Sequence, residues 1–208
     1  VRAGRFIAFE GGEGAGKSTQ TRLLAEALRA QGREVVTTRE PGGTPGAEAI
    51  RALLLGMEGE GWHPRAEALL FAAARSDHVE RLIQPAIARG AWVICDRFVD
   101  SSRAYQGGGG GLSDIEVMEL HRIGSGGLLP DMTLLIEVSP QVASQRLTAR
   151  DGDAADRIGG RPEAFHAAVS ARFDLMAKAD PERFFRIDGN GSTEAIHTAV
   201  LAALDGLA

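Results

Sequence analysis

Apolar positions repeat along this chain in two rhythms. Short runs of β-branched and aliphatic residues alternate with longer stretches in which leucine and alanine return every three or four positions. Arg5 to Glu10 reads as a first strand. A helix starts near Lys17, carries Leu23, Leu24, Ala27 and Leu28, and stops at Gln31-Gly32. Glu34 to Thr38 is a second short strand. Ala47 to Leu55 and Arg65 to Val79 read as helices, and a further helix entered around Gln84-Pro85 extends to Ala88. Ala91 to Cys95 is apolar throughout, which predicts a strand buried on both faces at the centre of a sheet. Ser113 with Glu116 three residues on has capping-box spacing and opens a helix that ends near Gly124. Met132 to Val138, then Arg183 to Asp188, are the remaining strands. Pro140 to Ala149, Glu163 to Ala177 and Thr193 to Leu207 are the remaining helices. Strands alternating with helices, without hairpin signals, predict an α/β fold: a parallel sheet with helices on both faces.

Two stretches fall outside this pattern. Gly107 to Gly111 reads as a surface linker or as a loop that accommodates a ligand. Arg150 to Arg161, rich in arginine and aspartate, reads as a solvated loop or a mobile lid. The aromatics Phe165, Phe173, Phe184 and Phe185 sit at helix or strand positions and read as core. The 208 residues suit one domain. A net charge of −5 gives no indication of a nucleic-acid-binding face, so basic residues that bind phosphate must act locally. The lone Cys95 excludes an intramolecular disulfide and fits a reducing cytoplasm. No apolar run is long enough for a membrane helix, and Val1 to Arg5 has no signal-peptide pattern.

The chemistry begins after the first strand. Gly11-Gly12-Glu13-Gly14-Ala15-Gly16-Lys17-Ser18 matches the P-loop pattern, with Thr19 following, a strand before it and a helix after it. Such a loop needs glycines because its backbone N–H groups must turn inward around an anion with no Cβ in the way. The next helix aims the positive end of its dipole at the bound phosphate. Lys17 can reach the outer phosphates as a mobile point charge, and the Ser18 hydroxyl can ligate Mg²⁺.

Arg39, Arg51, Arg75 and Arg97 fall at or beside the carboxyl edge of the predicted sheet, where open α/β sheets bind ligands. Arginine forks match phosphate oxygens, although Arg51 alone reads equally well as a surface ion-pair partner. Asp96-Arg97 closes an all-apolar strand at that edge. Its carboxylate could hold water on Mg²⁺, and its arginine could grip an acceptor phosphate.

Several motifs, in order, resemble the bacterial thymidylate kinases, a nucleoside monophosphate kinase family of P-loop proteins. They are Phe9 to Thr19, Thr38-Arg39-Glu40-Pro41-Gly42-Gly43-Thr44, and Phe71-Ala72-Ala73-Ala74-Arg75. Asp96-Arg97 with Ser101-Ser102 and Ala104-Tyr105-Gln106-Gly107-Gly108-Gly109 follows, then Pro130-Asp131-Met132-Thr133-Leu134 and Asp156-Arg157-Ile158. The resemblance implies a three-layer P-loop NTPase fold with a five-stranded parallel sheet. It implies a single kinase domain over residues 1–208, with a short mobile lid at about 149–162. The implied activity is MgATP-dependent phosphorylation of dTMP to dTDP, a step toward dTTP, in a cytoplasmic homodimer that takes ATP and dTMP and needs neither nucleic acid nor membrane.

The resemblance also implies roles. Phe71 stacks on thymine, Arg75 hydrogen-bonds its edge, and Ser102 contacts the base with Gln106 close by. Tyr105 lies against the deoxyribose and disfavours a 2′-hydroxyl. Arg97 binds the dTMP phosphate with Arg51 as a second contact. Glu13 meets the 3′-hydroxyl and the metal–water network; Ser18 and Asp96 serve Mg²⁺, partly through water. Because Glu13 stands where some relatives have arginine, the catalytic arginine is expected in the lid, Arg150 first and Arg157 second. A cis Glu40–Pro41 bond is expected. The chain departs from the family at Gly159, where glutamate is common, at Gly110, where arginine is common, and in a slightly longer lid. The rivals are another nucleoside or monophosphate kinase, or a P-loop switch without turnover. A second nucleotide pocket built from Arg75, Arg97, Ser102 and Tyr105 speaks against the switch.

Overall fold

The computed structural model describes residues 4–56, 61–151 and 160–207. Five strands, β1 (Arg5–Glu10), β2 (Val35–Arg39), β3 (Trp92–Asp96), β4 (Met132–Glu137) and β5 (Phe184–Asp188), form one parallel sheet in the order β2-β3-β1-β4-β5. The apolar β3 is an interior strand, but the middle position belongs to β1, which pairs with β3 on one side and β4 on the other. The carboxyl ends of β1 and β3 are therefore neighbours at a topological switch point, the place where open α/β sheets bind ligands. Phe9 lies opposite Asp96, and the Arg97 N–H donates to the Phe9 carbonyl at 2.9 Å.

Both faces of the sheet are covered, which is why its strands are apolar at successive positions rather than at every second one. Ile7 and Phe9 of β1 point to one face, with Ile94, Leu134 and Ile136. There they meet Leu24 and Leu28 of α1 (Lys17–Ala30) and Ile196 and Val200 of α9 (Thr193–Ala203). Phe6 and Ala8 point to the other face and meet Val79, Ile83, Ala86 and Phe98. A third cluster joins Leu135 and Phe184 to Tyr105 and to Val169, Phe173 and Met176 of α8 (Glu163–Ala179), with Phe165 packed against it. Phe185 packs against the first cluster, so of the four aromatics read as core Phe173 and Phe184 are buried in the core, and Phe165 and Phe185 pack against it partly buried. Each fully buried side chain of this size contributes roughly 1.5–3 kcal/mol. Cys95 is buried in the second cluster, where burial raises its thiol pKa.

Two expectations change. The two helices read across Gln84-Pro85 are one continuous run: α3 (Pro64–His78), a π-helical turn over Val79–Ile83, and α4 (Gln84–Ala88). Pro85 has no N–H to give, and its ring would press on the carbonyl four residues back; the wider turn just before it absorbs both defects without ending the helix. The glycine run is not a linker. After α5 (Val99–Ser102), residues 103–109 form another π-helical turn packed on α8. A Cβ on Gly108 would lie 2.9 Å from Arg172 Cβ, and one on Gly109 would collide with the Phe165 ring, so these glycines permit a close approach. The remaining helices are α2 (Pro45–Gly56), α6 (Asp114–Ser125) and α7 (Pro140–Asp151). α6 has the expected capping box between Ser113 and Glu116. Among the described residues no helix is long and apolar enough to cross a membrane.

Candidate active site

A cleft of about 730 Å³ opens at the carboxyl ends of the strands, between the loop after β1 and the helices α2, α3 and α5. Its floor is the loop after β1. Gly11, Gly14 and Gly16 hold φ values of 136°, 70° and 92°, which residues with a Cβ rarely adopt. A Cβ on Gly11 would strike the Ile136 carbonyl oxygen, and one on Gly14 would lie 2.7 Å from the Ala143 carbonyl oxygen. The loop is thus wedged between the end of β4 and α7. Gly16 begins α1 with no side-chain cap and no acidic residue in the first turn. The helix therefore keeps unpartnered N–H groups and its positive end for an anion.

Lys17 folds back over this loop, donating from Nζ to the carbonyls of Gly12 at 2.7 Å and Gly11 at 3.2 Å. Burial, aided by the Arg97 charge, lowers its pKa to about 8 against the opposing pull of Asp96, Glu13 and Glu10. Beside it the Ser18 hydroxyl donates to Asp96 Oδ2 at 2.5 Å. These paired oxygen donors suit a hard cation such as Mg²⁺. Among the described residues no group of three or more His, Cys, Asp or Glu side chains could cage a metal alone.

Arg97 stands between this floor and the far end of the cleft. It adopts φ 70°, the one non-glycine residue described with positive φ, and so turns the chain sharply at the end of β3. Its Nη2 pairs with Glu13 Oε1 at 2.5 Å, its Nη1 reaches Gly11 O and Ser101 Oγ at 3.2 and 3.1 Å, and its guanidinium lies 5.0 Å from the Tyr105 ring centroid. The Tyr105 hydroxyl also contacts Glu13 at 3.4 Å, and burial pushes its pKa up to about 12.

At the far end Arg75 is almost wholly buried. Its Nε donates to Glu40 Oε2 at 2.7 Å and its Nη2 to Ser102 Oγ at 2.9 Å, over the Phe98 ring. Glu40 uses its other oxygen on His78 Nδ1 at 3.0 Å, and His78 Nε2 meets Thr38 Oγ1 at 2.7 Å. Gln106 donates to Glu67 at 3.0 Å, and Arg161 takes the second Glu67 oxygen at 2.6 Å. Phe71 is half-buried in the cleft wall, and Arg51 donates to the Pro41 carbonyl at 2.8 Å. The Glu40–Pro41 bond is cis, as expected.

The sequence model described as Thymidylate kinase matches residues 9–200. The chain belongs to the thymidylate kinase family. A thymidylate kinase of Rhizorhabdus wittichii is 53% identical over 204 residues, covering 98% of each chain. One of Caulobacter vibrioides is 49% identical over 199 residues, covering 95% of this chain and 94% of that one. The crystal structure of thymidylate kinase from Ehrlichia chaffeensis superimposes with a TM-score of 0.80 at 33% identity, over 97% of this chain and 99% of that one. The five-stranded parallel sheet is thus the P-loop fold of this kinase family.

Against this family frame, the predicted residues converge. Glu13 to Thr19, Arg51, Phe71, Arg75, Asp96, Arg97, Ser102, Tyr105 and Gln106 all line the one cleft; Gly11 and Gly12 lie beneath, touching Lys17 through their carbonyls. Arg157 lies outside the described residues, as does most of the expected lid, and Arg150 is described only as part of the α7 backbone. Sequence reading assigned no role to Glu10, His78, Glu67 or Arg146, and none to Glu40 beyond its place in a motif. Arg146, one helical turn before Arg150 on α7, bridges the floor loop at Ala15 O (3.3 Å) to Gly189 O (2.8 Å) after β5. Glu10 and Glu40 lie inside quoted motifs, but no motif gives their partners, because each of these residues works through a partner distant in sequence.

Proposed function

We propose that this chain transfers the γ-phosphoryl group of MgATP to dTMP, giving dTDP and ADP, a step of dTTP synthesis for DNA replication. The supporting observation is the meeting, at Arg97, of an anion-binding loop and a second pocket walled by Phe71, Arg75, Ser102, Tyr105 and Gln106. A kinase needs two adjoining sites, and a nucleotide switch does not.

The acceptor is already an anion, so the protein's work is alignment and charge neutralisation. The Gly11–Thr19 loop cradles the ATP phosphates, and Lys17 leaves its loop carbonyls for the outer phosphate oxygens. Ser18 and Asp96, partly through water, would hold Mg²⁺, which neutralises phosphoryl charge when bound. Arg97, with Arg51, holds the dTMP phosphate in line. Phe71 stacks on thymine, Arg75 and Ser102 read its edge, and Gln106 closes the pocket beside them. Tyr105 fills the space a 2′-hydroxyl would need, and Glu13 accepts from the 3′-hydroxyl. A lid at about 149–162 within the single domain brings Arg150, or next Arg157, onto the transferring group and excludes water. The enzyme works in the cytoplasm as a homodimer.

The test is a coupled assay of ADP formation with MgATP, with dTMP added or omitted and dUMP, UMP, CMP and AMP run beside it. Turnover that requires dTMP is the expected result. Equal turnover with the other monophosphates overturns the substrate, and ADP formation independent of any monophosphate overturns the kinase.

A further inference from the structure

Glu10 ends β1 with no surface left to solvent. A carboxylate in that position is costly unless donors converge on it. Three do. The Phe98 and Ser101 N–H groups donate to Oε1 at 2.8 and 3.1 Å, and the Ser101 hydroxyl donates to Oε2 at 2.6 Å. All three belong to the short segment that follows Arg97. Ser101 Oγ in turn accepts from Arg97 Nη1 at 3.1 Å. One carboxylate thus grips both ends of the turn that Arg97 opens in a positive-φ conformation.

We propose that Glu10 is a positioning residue for the acceptor phosphate, acting through Ser101 to set the Arg97 guanidinium against the P-loop. The inference rests on the reading of Arg97 as the residue that holds that phosphate. The hydroxyl's polarity carries the relay. Ser101 presents a lone pair to Arg97 because its own proton is committed to Glu10. An amide at position 10 offers one acceptor oxygen for three donors, so its NH₂ faces a group that had been donating. The Ser101 proton is then released, and the hydroxyl is free to turn that proton toward Arg97. Burial and the neighbouring Asp100 charge raise the Glu10 pKa to about 7 even with these donors in place, so the variants are compared at about pH 8, where Glu10 is mostly the carboxylate.

The readout is the ratio of thymidine to dTMP dissociation constants, measured by calorimetry, because it isolates contacts to the phosphate from contacts to base and sugar. Wild type, Glu10→Gln, Ser101→Ala and Arg97→Ala are compared. Glu10→Gln is expected to lower the ratio about tenfold, the loss of one misaligned charged hydrogen bond, with thymidine and ATP affinities unchanged. Ser101→Ala breaks the relay while leaving the two N–H contacts, and is expected to lower the ratio similarly; it serves if Glu10→Gln fails to fold. Equal weakening of thymidine and dTMP marks a merely structural role and overturns the proposal. A ratio lost in Arg97→Ala but kept in both other variants overturns the proposal alone. A ratio that survives Arg97→Ala overturns the phosphate role of Arg97, and the proposal with it.

Discussion

Arg97 and Glu13 meet as an ion pair across the P-loop, Nη2 to Oε1 at 2.5 Å, with side-chain exposures of only 16% and 21%. An anion that binds Arg97 must share it with Glu13, so the site is held in register before the acceptor arrives. Truncating Arg97 removes a charged hydrogen bond to the proposed acceptor phosphate, worth roughly 1.5–3 kcal/mol, and leaves Glu13 without that partner. Arg97→Ala is therefore expected to raise the KM for dTMP roughly ten- to a hundredfold and to lower kcat. Steady-state kinetics with normal constants would show that another group holds the phosphate.

Lys17 gives a pH signature. Its pKa of about 8 in the free protein comes first from burial and then from Arg97. Bound phosphates favour the charged form, so binding ATP takes up a proton above that pH. The profile of kcat/KM for ATP, which reports the free enzyme, is expected to fall as pH rises through about 8. The profile of kcat should turn down at higher pH, since the bound state holds the proton more tightly. A kcat/KM profile flat to about pH 10, near the ordinary lysine value, would mean that Lys17 does not carry the binding charge.

The elements and most of the cleft were legible because they obey local rules. Val93 to Cys95 are buried because a parallel interior strand has no polar face, and Lys17 and Ser18 are fixed by loop geometry within a few residues. What escaped reading acts across distance. Glu40 binds Arg75 from 35 positions away, and Ser101 reaches Glu10 across 91. Neither pairing has a periodicity. Pro85 reads as the start of a new helix because proline lacks an N–H and suits a first turn, and only the neighbouring residues' conformation reveals the π turn that absorbs it within one run. Gly108 and Gly109 look like slack in the chain until Arg172 and Phe165 are seen to occupy the space that their side chains would need.

Glu10 also makes a stability prediction with a definite sign. Burial, then the Asp100 charge, raises its pKa from 4.5 to about 7. The folded protein therefore binds a proton more tightly than the unfolded chain. The stability gained is fully present below pH 4.5 and is lost as pH rises through about 7. The change amounts to roughly 2–4 kcal/mol. Glu10→Gln cannot titrate, so relative to wild type it should be more stable at neutral pH by that much more than at pH 4.5. Urea unfolding at the two pH values checks this. A difference that does not change with pH would show that Glu10 keeps its ordinary pKa.

The proposed lid arginines should separate binding from transfer. Glu13 leaves the P-loop without an arginine of its own to neutralise charge on the transferring group, and the family resemblance puts that arginine at Arg150 or Arg157. A group that touches only the transferring phosphoryl lowers kcat and kcat/KM together and leaves acceptor binding intact. Arg150→Ala is expected to lower kcat about a thousandfold or more, within the range found for arginine fingers, with the dTMP dissociation constant unchanged. Arg157→Ala should cost less. Single-turnover rates paired with dTMP calorimetry distinguish the cases. An unchanged rate in Arg150→Ala with a large loss in Arg157→Ala reverses the order of the two residues. Loss of dTMP affinity in step with rate, in either variant, would place that arginine on the acceptor rather than on the group in flight.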